Sequence, residues 1–362
     1  MSMRNQFHPC RVTKIQRETE ESVSIELELI DKSTTDLKFI PGQYLTLKKE
    51  IDGEDVRRTY SICTAPYEGT LRVGIKEIEG GKFSSYANRI LRVGDQLEVM
   101  DPMGKFTHQT DIANHKHYLA LAAGSGITPV LSIVKSILRE EPHSRVTLFF
   151  GNRKTSSIMF KEEIEALKNQ YLDRFSIYHI LSREKSDIPL FEGRINTEKL
   201  EKFSGLFFRP GELDGIFLCG PADMIEEARS FFVEKGVEKG KIHFELFTTE
   251  GMKKPIKKVK AVIPETTGDQ VRVKLRIDGD IHEFKMPAIG TTVLEGASET
   301  GADVPFACKG GVCSTCRAKL IDGKVNMEVN YALEEEELEQ GYILTCQSYP
   351  VTDEITVDFD IK

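Results

Sequence analysis

The sequence predicts a multidomain chain: an antiparallel β-barrel, then a doubly wound α/β domain, then a small cysteine-rich domain. Short segments that alternate apolar and polar residues fill the first third, and apolar runs alternate with amphipathic segments through the middle. Four of the seven cysteines lie at or beyond Cys308. A chain of 362 residues is also too long for a single hydrophobic core, which agrees with several domains.

The first predicted domain, residues 1–112, is the barrel. Its strands are expected at Val23–Leu29, Tyr44–Leu47, Leu71–Ile75 and Gln96–Met100, where side chains alternate between apolar and polar. Alternation with a period of two turns one face of a strand toward a core. Short strands at this spacing, with no long helical pattern between them, are typical of a small antiparallel barrel.

The second predicted domain, residues 113–249, alternates strands with helices. This alternation predicts a parallel sheet that is covered by helices on both faces. The expected strands are Tyr118–Ala123, Val146–Phe150, Phe175–Leu181 and Gly215–Cys219, and the expected helices are Pro129–Arg139, Phe160–Asn169 and Ala222–Lys235.

The composition excludes several classes of partner. A net charge of −8 argues against nucleic acid, because phosphate binding needs a basic face. The most apolar stretch, Tyr118–Val134, is interrupted by Gly124, Gly126 and Pro129, which is unsuitable for a membrane span. No apolar segment follows Met1, so we expect no secretory signal and a cytoplasmic protein.

Residues 250–268 are predicted to be a linker before the third domain, residues 269–362. The stretch carries several lysines together with Pro255 and Pro264, and a basic binding patch is the alternative interpretation. A polar, flexible linker would let the third domain act as a mobile carrier.

The cysteine spacing of the third domain predicts a 2Fe–2S cluster. Three cysteines form C-x4-C-x2-C and the fourth stands alone much later, which is the plant-type ferredoxin spacing. Structural zinc, the alternative, usually takes its ligands as two close pairs. Of the remaining three cysteines, Cys10 and Cys63 are interpreted as ordinary core residues. The predicted ligands are Cys308, Cys313, Cys316 and Cys346.

The segments around these cysteines resemble a plant-type ferredoxin domain. The resemblance is carried by Pro305–Cys316 and by Leu344–Gln347 and covers roughly the last quarter of the chain. It implies an α+β fold of the β-grasp type. Gly310 and Gly311 would give the loop the backbone freedom to curl around an inorganic core.

Two short motifs stand in the barrel. The first is Arg58-Thr59-Tyr60-Ser61, and the second is Gly81-Lys82-Phe83-Ser84. Alone, the first motif is weak evidence, and Tyr60 could be a core aromatic residue. Ahead of a doubly wound domain, the two motifs resemble the flavin site of the ferredoxin–NADP reductase superfamily.

This resemblance implies that Arg58 binds the pyrophosphate of FAD, Tyr60 stacks on the isoalloxazine, and Ser61 hydrogen-bonds near N5. FAD is preferred over FMN from the overall resemblance. The second motif is a helix start that would attract phosphate.

A glycine-rich turn between the first strand and helix of the α/β domain predicts a dinucleotide site. It reads Gly124-Ser125-Gly126-Ile127-Thr128-Pro129. The glycines would let the backbone approach a pyrophosphate. We expect Thr128 to cap the helix and Pro129 to take its first position. The same G-x-G-x-T-P form occurs in the reductase superfamily.

A second motif after the strand near residue 218 is similar to the superfamily's C-G-P-x-x-M. The resemblance places Cys219 beside the nicotinamide, whereas a buried thiol without chemistry is the alternative. It also places Glu245 at the flavin edge and Phe247 over the flavin ring. Ser61, Cys219 and Glu245 are therefore the candidate catalytic residues. The other residues assigned to the nucleotide are Gly220, Pro221 and Met224.

The ends of the second and third α/β strands favour NADPH over NADH. An acid after the second strand would accept hydrogen bonds from a free ribose 2′-hydroxyl, but Asn152 and Arg153 stand there. Ser182 and Arg183 follow the third strand, and an arginine fork suits a 2′-phosphate. In the alternative interpretation, Arg153 and Arg183 are only surface charges.

Together the resemblances imply an oxidoreductase that passes electrons from NADPH to FAD, then to the 2Fe–2S cluster, then to a terminal oxygenase. Glu79–Ser84, Lys309–Cys313 and Gly341–Gln347 are most similar to reductase subunits of phenylacetyl-CoA epoxygenases, which act in phenylacetate catabolism. One alternative is an NADH-dependent reductase of a Rieske-type or other hydroxylase. Another is a redox sensor or electron carrier without turnover.

Overall fold

The computed structural model describes two compact units. One unit is His8–Val56 with Tyr60–Phe247, and the other holds the described residues of Met1–Phe7, Arg57–Thr59 and Thr248–Lys362. Of the predicted linker, only Gly268 lies within the described residues. Among those residues, no helix is long and apolar enough to cross a membrane. The described residues are 7–31, 33, 37–247 and 268–361.

Six strands form the first sheet, in the order β4-β3-β6-β1-β2-β5. β1 pairs antiparallel with β2 and β6, and β2 pairs antiparallel with β5. A bridge between Ile62 and Val73 joins the two outer strands, so the sheet curls into the predicted barrel. The strands are β1 His8–Thr19, β2 Ser22–Leu29, β3 Tyr44–Ile51, β4 Glu54–Ser61, β5 Leu71–Lys76 and β6 Gln96–Val99, and helix α1 spans Lys82–Arg89.

The barrel closes around alternate side chains of its strands. Val23, Ile25, Leu45 and Leu47 are buried in one cluster, and Phe83 of α1 packs into it. Strand β1, which the sequence analysis did not predict, alternates buried and exposed residues over its first half, and Cys10 and Val12 lie on the buried side. The lysines and arginines of this strand obscure its apolar set in the sequence.

The α/β domain has a five-stranded sheet in the order β11-β10-β7-β8-β9, and every pairing in it is parallel. Separate apolar clusters cover its two faces, which confirms the doubly wound fold. The strands are β7 His117–Ala123, β8 Arg145–Asn152, β9 Phe175–Leu181, β10 Gly215–Gly220 and β11 Ile242–Leu246. The helices are α2 Ile127–Glu140, α3 Lys161–Gln170, α4 Thr197–Phe203 and α5 Ala222–Glu234.

The order of these strands predicts where a ligand would bind to the α/β sheet. The chain runs from β7 outward through β8 and β9, and then returns to the other side of β7 with β10 and β11. The carboxyl ends of β7 and β10 therefore lie side by side at a topological switch point, where open α/β sheets bind their ligands.

The third domain is an α+β fold, as predicted. Its main sheet has the order β13-β12-β18-β14-β16, in which β12 and β18 are parallel and the other neighbouring strands are antiparallel. The segment between α6 and β14 carries three of the four predicted cluster ligands. The elements are β12 Gln270–Ile277, β13 Asp280–Pro287, α6 Val293–Glu299, β14 Arg317–Asp322, β15 Val325–Met327, α7 Glu335–Glu339, β16 Tyr342–Leu344, β17 Ser348–Pro350 and β18 Glu354–Asp358.

Candidate functional site

The three candidate catalytic residues come together from three strands. Ser61 ends β4, and its buried hydroxyl donates a hydrogen bond of 3.2 Å to Oε2 of Glu245. Glu245 on β11 stands in register beside Cys219 on β10. Strand pairing and one cross-domain hydrogen bond thus gather a hydroxyl, a carboxyl and a thiol at the carboxyl edge of the α/β sheet.

The surroundings hold these groups in their neutral forms. Burial raises the pKa of Glu245 to about 8, although the hydrogen bond from Ser61 acts in the opposite direction. Burial, together with the nearby charge of Glu245, raises the pKa of the Cys219 thiol well above its usual range. At neutral pH the Glu245 carboxyl therefore keeps a proton that it can share with Ser61.

The residues of the first barrel motif differ in exposure. Tyr60 is half-buried, and its ring centroid lies 5.5 Å from that of Phe83, tilted by 40°. Phe83 itself is fully buried, so its ring packs against Tyr60 from the side of the barrel core. Thr59 is half-buried, whereas Arg58 is exposed and donates to the carbonyl of Arg57 at 2.8 Å.

No described side chain caps the start of α1. Gly81 precedes the helix without capping it through a side chain, so the first N–H groups stay available. A Cβ at Gly81 would stand 2.4 Å from Oγ of Ser84, which explains the glycine. Ser84 accepts from the Ile78 N–H and donates to the Gly81 carbonyl, both at 3.2 Å. Lys82 is exposed and forms an ion pair with Glu54.

Helix α2 begins earlier than the sequence predicted. A 3-10 turn over Gly124–Gly126 runs directly into the helix, which starts at Ile127 with Gly126 as its cap. The expected cap at Thr128 and first position for Pro129 were therefore wrong. Thr128 lies inside the first turn and donates to the Ser125 carbonyl at 2.9 Å. Pro129 costs no hydrogen bond there, because the first four N–H groups of a helix have no internal partner.

Two glycines allow close packing of α2 and α5 around the carboxyl end of β10. A Cβ at Gly126 would stand 2.1 Å from the Cys219 carbonyl oxygen. A Cβ at Gly220 would stand 2.6 Å from Cε of Met224, which is buried at the start of α5 after Pro221. The two nicotinamide motifs thus form one continuous surface of backbone at the switch point, which fits a bound dinucleotide.

The residues chosen for cofactor preference also lie together. Ser182 donates its N–H to the Asn152 carbonyl at 2.9 Å, and Arg183 donates its N–H to the Arg153 carbonyl at 2.8 Å. The parallel pairing of β8 and β9 thus continues for two residues. The exposed Arg153 and Arg183 therefore stand on neighbouring segments, just beyond the ends of these strands. These residues are thus available to a phosphate that binds beyond the strand ends.

Sequence reasoning missed two residues at this edge. The carboxylate of Glu184 accepts from the N–H of Thr155 at 2.9 Å and from its hydroxyl at 2.6 Å, so an acid reaches the loop after β8. The prediction rested only on the residues directly after β8. The amide nitrogen of Asn152 is buried and finds no hydrogen-bond partner in the described chain, which leaves a donor for a ligand.

Phe247 follows β11 two residues beyond Glu245. It is half-buried and packs against the apolar cluster that covers the α2 face of the sheet. This position keeps it on the same strand end as the Ser61–Glu245 hydrogen bond. Its predicted role as a cover for the flavin ring stays a prediction.

The loop of the third domain directs backbone donors at two of its thiols. The N–H of Cys308 donates to Sγ of Cys313 at 3.4 Å. Backbone N–H groups of Gly310 and Cys313 donate to Sγ of Cys308 at 3.3 and 3.4 Å. Such donors stabilise thiolates around a cluster.

The late cysteine reaches the loop through its neighbours. Thr345 donates its N–H and hydroxyl to the Cys316 carbonyl at 3.1 and 3.0 Å. Gln347 donates to the Lys309 carbonyl at 3.0 Å, and Lys309 has a positive φ of 50° that turns the loop. In the described chain, no group of three or more His, Cys, Asp or Glu forms a site for a metal ion. Thr345 and Gln347 thus connect the segment of Cys346 to the loop of the other three cysteines, and a 2Fe–2S centre would need all four thiols to hold its two irons.

Three family models match successive parts of the chain. The oxidoreductase FAD-binding domain matches residues 9–108, and the oxidoreductase NAD-binding domain matches residues 120–230. The 2Fe-2S iron-sulfur cluster binding domain matches residues 275–351.

Relatives match the whole arrangement. The chain is 42% identical to a component of 1,2-phenylacetyl-CoA epoxidase from Escherichia coli K12, over 98% of each chain. It is 31% identical to the 3-ketosteroid-9-alpha-monooxygenase ferredoxin reductase component of Rhodococcus rhodochrous, over 96% of this chain and 95% of the relative. The solved structure of phthalate dioxygenase reductase covers 98% of each chain with a TM-score of 0.58 and 22% identity, which shows a shared fold.

Proposed function

The chain belongs to the ferredoxin reductase family as an oxidoreductase with FAD-binding, NAD-binding and 2Fe–2S domains, and from that premise we propose that it carries electrons from NADPH to a terminal oxygenase. One observation carries the proposal above all. Ser61, Glu245 and Cys219 meet at the switch point, beside two glycines that leave backbone open to a dinucleotide.

In this proposal the residues of the chain bind, orient and hold a proton. FAD supplies the conversion between two-electron and one-electron transfer. Tyr60 would stack on the flavin, and the open N–H groups at the start of α1 would hold its pyrophosphate. Glu245 keeps a proton on its carboxyl within reach of Ser61, because burial disfavours its charged form. The turn at Gly124–Gly126 and Gly220 hold the nucleotide so that nicotinamide and flavin meet in one geometry.

We assign NADPH as the preferred nucleotide. Arg153 and Arg183 stand on neighbouring segments after β8 and β9, at the edge where the ribose would lie. Two guanidinium groups there would suit a 2′-phosphate. Glu184 supports NADH as the second candidate, because this acid after β9 reaches Thr155 in the loop after β8. Thr155 occupies both oxygens of that carboxylate, which makes Glu184 a poor acceptor for a ribose hydroxyl.

We further propose that Cys308, Cys313, Cys316 and Cys346 hold the 2Fe–2S cluster, and that the cluster serves 1,2-phenylacetyl-CoA epoxidase. The support for this partner is the 42% identity to one component of that enzyme over almost the whole chain. A cytoplasmic location agrees with thiols that must stay reduced to bind iron. The second candidate partner is another oxygenase, since a 3-ketosteroid-9-alpha-monooxygenase reductase component is 31% identical.

Reconstitution tests the partner. The purified protein is mixed with the remaining components of 1,2-phenylacetyl-CoA epoxidase, and NADPH consumption is followed with and without phenylacetyl-CoA. We expect consumption that depends on the substrate, and little with the oxygenase component of 3-ketosteroid-9-alpha-monooxygenase. Ferricyanide reduction by NADPH serves as the control for an active flavin site. Active ferricyanide reduction without substrate-dependent consumption would reject this partner.

The carrier role predicted for the third domain depends on residues 250–268, which lie outside the described residues except for Gly268, and it stays a prediction. A chain that ends after Thr249 should keep its flavin and still reduce ferricyanide with NADPH. It should not support the oxygenase, because single electrons leave through the cluster. A shortened chain that serves the oxygenase as well as the full chain does would contradict this route.

A further inference from the structure

Four charged side chains form a network where the barrel meets the helices of the α/β domain. Lys135 on α2 is only 3% exposed, and its Nζ lies 3.0 Å from both carboxylate oxygens of Glu68, in the turn before β5. Lys135 also contacts the carboxylate of Glu163 on α3. Arg72 on β5 lies 2.7 Å from both oxygens of Glu163.

The charges in this network balance and alternate. Burial opposes ionisation of Glu163, but Lys135 and Arg72 outweigh it and lower the pKa of that carboxyl. The Glu163 carboxyl is therefore held in its ionised form between the two basic side chains. A buried ion pair is weak evidence for stability, because desolvation offsets the attraction. Such a pair does select one arrangement, since any other leaves a charge buried without a partner.

The network fixes the position of β5 against the start of α2, next to the proposed nucleotide-binding turn. Gly74 lies on the same strand as Arg72, and a Cβ there would stand 2.7 Å from Cγ2 of Thr128 and 2.9 Å from Cζ of Phe160. The strand thus lies directly against the first turn of α2. Ser132, one turn before Lys135, donates to the Thr64 carbonyl at 2.6 Å. The same strand bridges to the end of β4 through Ile62 and Val73, next to Ser61.

We propose that the network of Glu68, Arg72, Lys135 and Glu163 is a positioning device for hydride transfer, which fixes the start of α2 against the flavin-binding barrel. The proposal rests on the function proposed above. In that reaction the nicotinamide loses a hydride, and the flavin gains the same two electrons and proton. A misplacement of about 1 Å between the reacting groups can cost about a hundredfold in rate. None of the four residues needs to touch either cofactor for this role.

The test compares the same substitution at two positions of α3. Glu163→Gln removes a half-buried charge that pairs with the buried Lys135 and keeps the shape, whereas Glu165→Gln removes an exposed charge that pairs with Lys161. In the holoprotein, Glu163→Gln should slow flavin reduction at saturating NADPH by about tenfold or more. Flavin content and the Kd for NADP+ should stay at wild-type values, because each site lies within its own domain. Glu165→Gln should match the wild type throughout.

Hydrogen exchange gives a readout that needs no nucleotide. Glu163→Gln should speed amide exchange in β5 and in the first turns of α2, and Glu165→Gln should not. Lys135→Arg keeps the charge and should therefore retain more of the wild-type rate of flavin reduction than Lys135→Met does. If Lys135→Met does not fold, the double variant Lys135→Met/Glu68→Gln is compared instead, because it also removes the acid that loses its partner, while Glu163 keeps its contact with Arg72.

Two results would overturn the positioning role. One is a Glu163→Gln protein that melts earlier but reduces its flavin at the wild-type rate. The other is unchanged exchange in β5 and α2. A wild type that NADPH does not reduce would reject the proposed function instead, and hydrogen exchange would still decide whether the network holds the two elements together.

Discussion

The hydroxyl of Ser61 donates a hydrogen bond of 3.2 Å to the carboxyl of Glu245, although 184 residues separate the two in the chain. This contact joins the last residue of a barrel strand to the last strand of the α/β sheet. It places a carboxyl of raised pKa where the barrel motif and the nicotinamide motif meet. The relationship links the two halves of the proposed electron-transfer site.

The raised pKa of Glu245 predicts a pH-dependent stability. An ordinary glutamate ionises near 4.5, whereas this one has a pKa of about 8. Between these values the folded state binds more proton than the unfolded state, so the wild type loses stability as the pH rises. Glu245→Gln removes this loss. The Tm of the variant minus the Tm of the wild type should therefore increase from pH 5 to pH 8. Thermal unfolding at both pH values measures this, with Glu165→Gln as the control. A difference in Tm that does not change with pH would refute the assignment.

Gly126 offers a test of the nucleotide-binding turn. In Gly126→Ala the new Cβ would meet the Cys219 carbonyl oxygen at 2.1 Å, so the turn must move away from β10. Overpacking of this kind costs about 1–3 kcal/mol, and we expect the Kd for NADP+ to rise about tenfold with flavin content unchanged. Gly211→Ala is the control, because open space surrounds that glycine. Calorimetric binding that is equal in both variants would count against the site.

Arg183 tests the preference for NADPH. Arg183→Ala removes a charged donor to the 2′-phosphate. The lost hydrogen bond is worth roughly 1.5–3 kcal/mol, so kcat/KM for NADPH should fall about 10- to 100-fold. The value for NADH should hardly change, since NADH lacks that phosphate. Arg209→Ala is the control at an exposed arginine paired with Glu212. Steady-state kinetics with both nucleotides decide the matter, and equal losses for the two would remove the argument.

Cys346 tests the assignment of the cluster. Cys346→Ser should lose most of its iron and acid-labile sulfide and keep its flavin, because the ligand and the flavin motif belong to separate domains. Cys10→Ser is the matched control, since Cys10 is buried in the barrel core and its pKa is raised to about 12 by burial. Full iron and sulfide content in Cys346→Ser would exclude this residue as a ligand.

Features set by local chemistry could be predicted from the sequence. The cysteine spacing and the glycines after β7 are short-range patterns, and both lie in the expected structural context. The start of α2 was placed wrongly, because Thr128 is a good capping residue and the continuous 3-10 turn before it carries no distinct signal. The choice between cap and first turn depends on the close approach of Gly126 to Cys219, which is a tertiary contact.

Long-range polar contacts could not be predicted. Lys135 sits on the buried face of an amphipathic helix, where a single sequence suggests an apolar residue. Its partners Glu68 and Glu163 come from a turn and from another helix, so only the fold reveals the pairing. Glu184 was overlooked for the same reason, since it reaches the loop after β8 from the next strand.

Anaerobic titration with NADPH, followed by electron paramagnetic resonance, tests the central claim most directly. One electron added to a 2Fe–2S cluster leaves an unpaired spin, so the full chain should develop a cluster signal when NADPH is the only reductant. Cys346→Ser should develop none under the same conditions. A full chain whose cluster gives a signal with dithionite but stays silent with NADPH would contradict electron transfer from the nicotinamide through the flavin to the cluster.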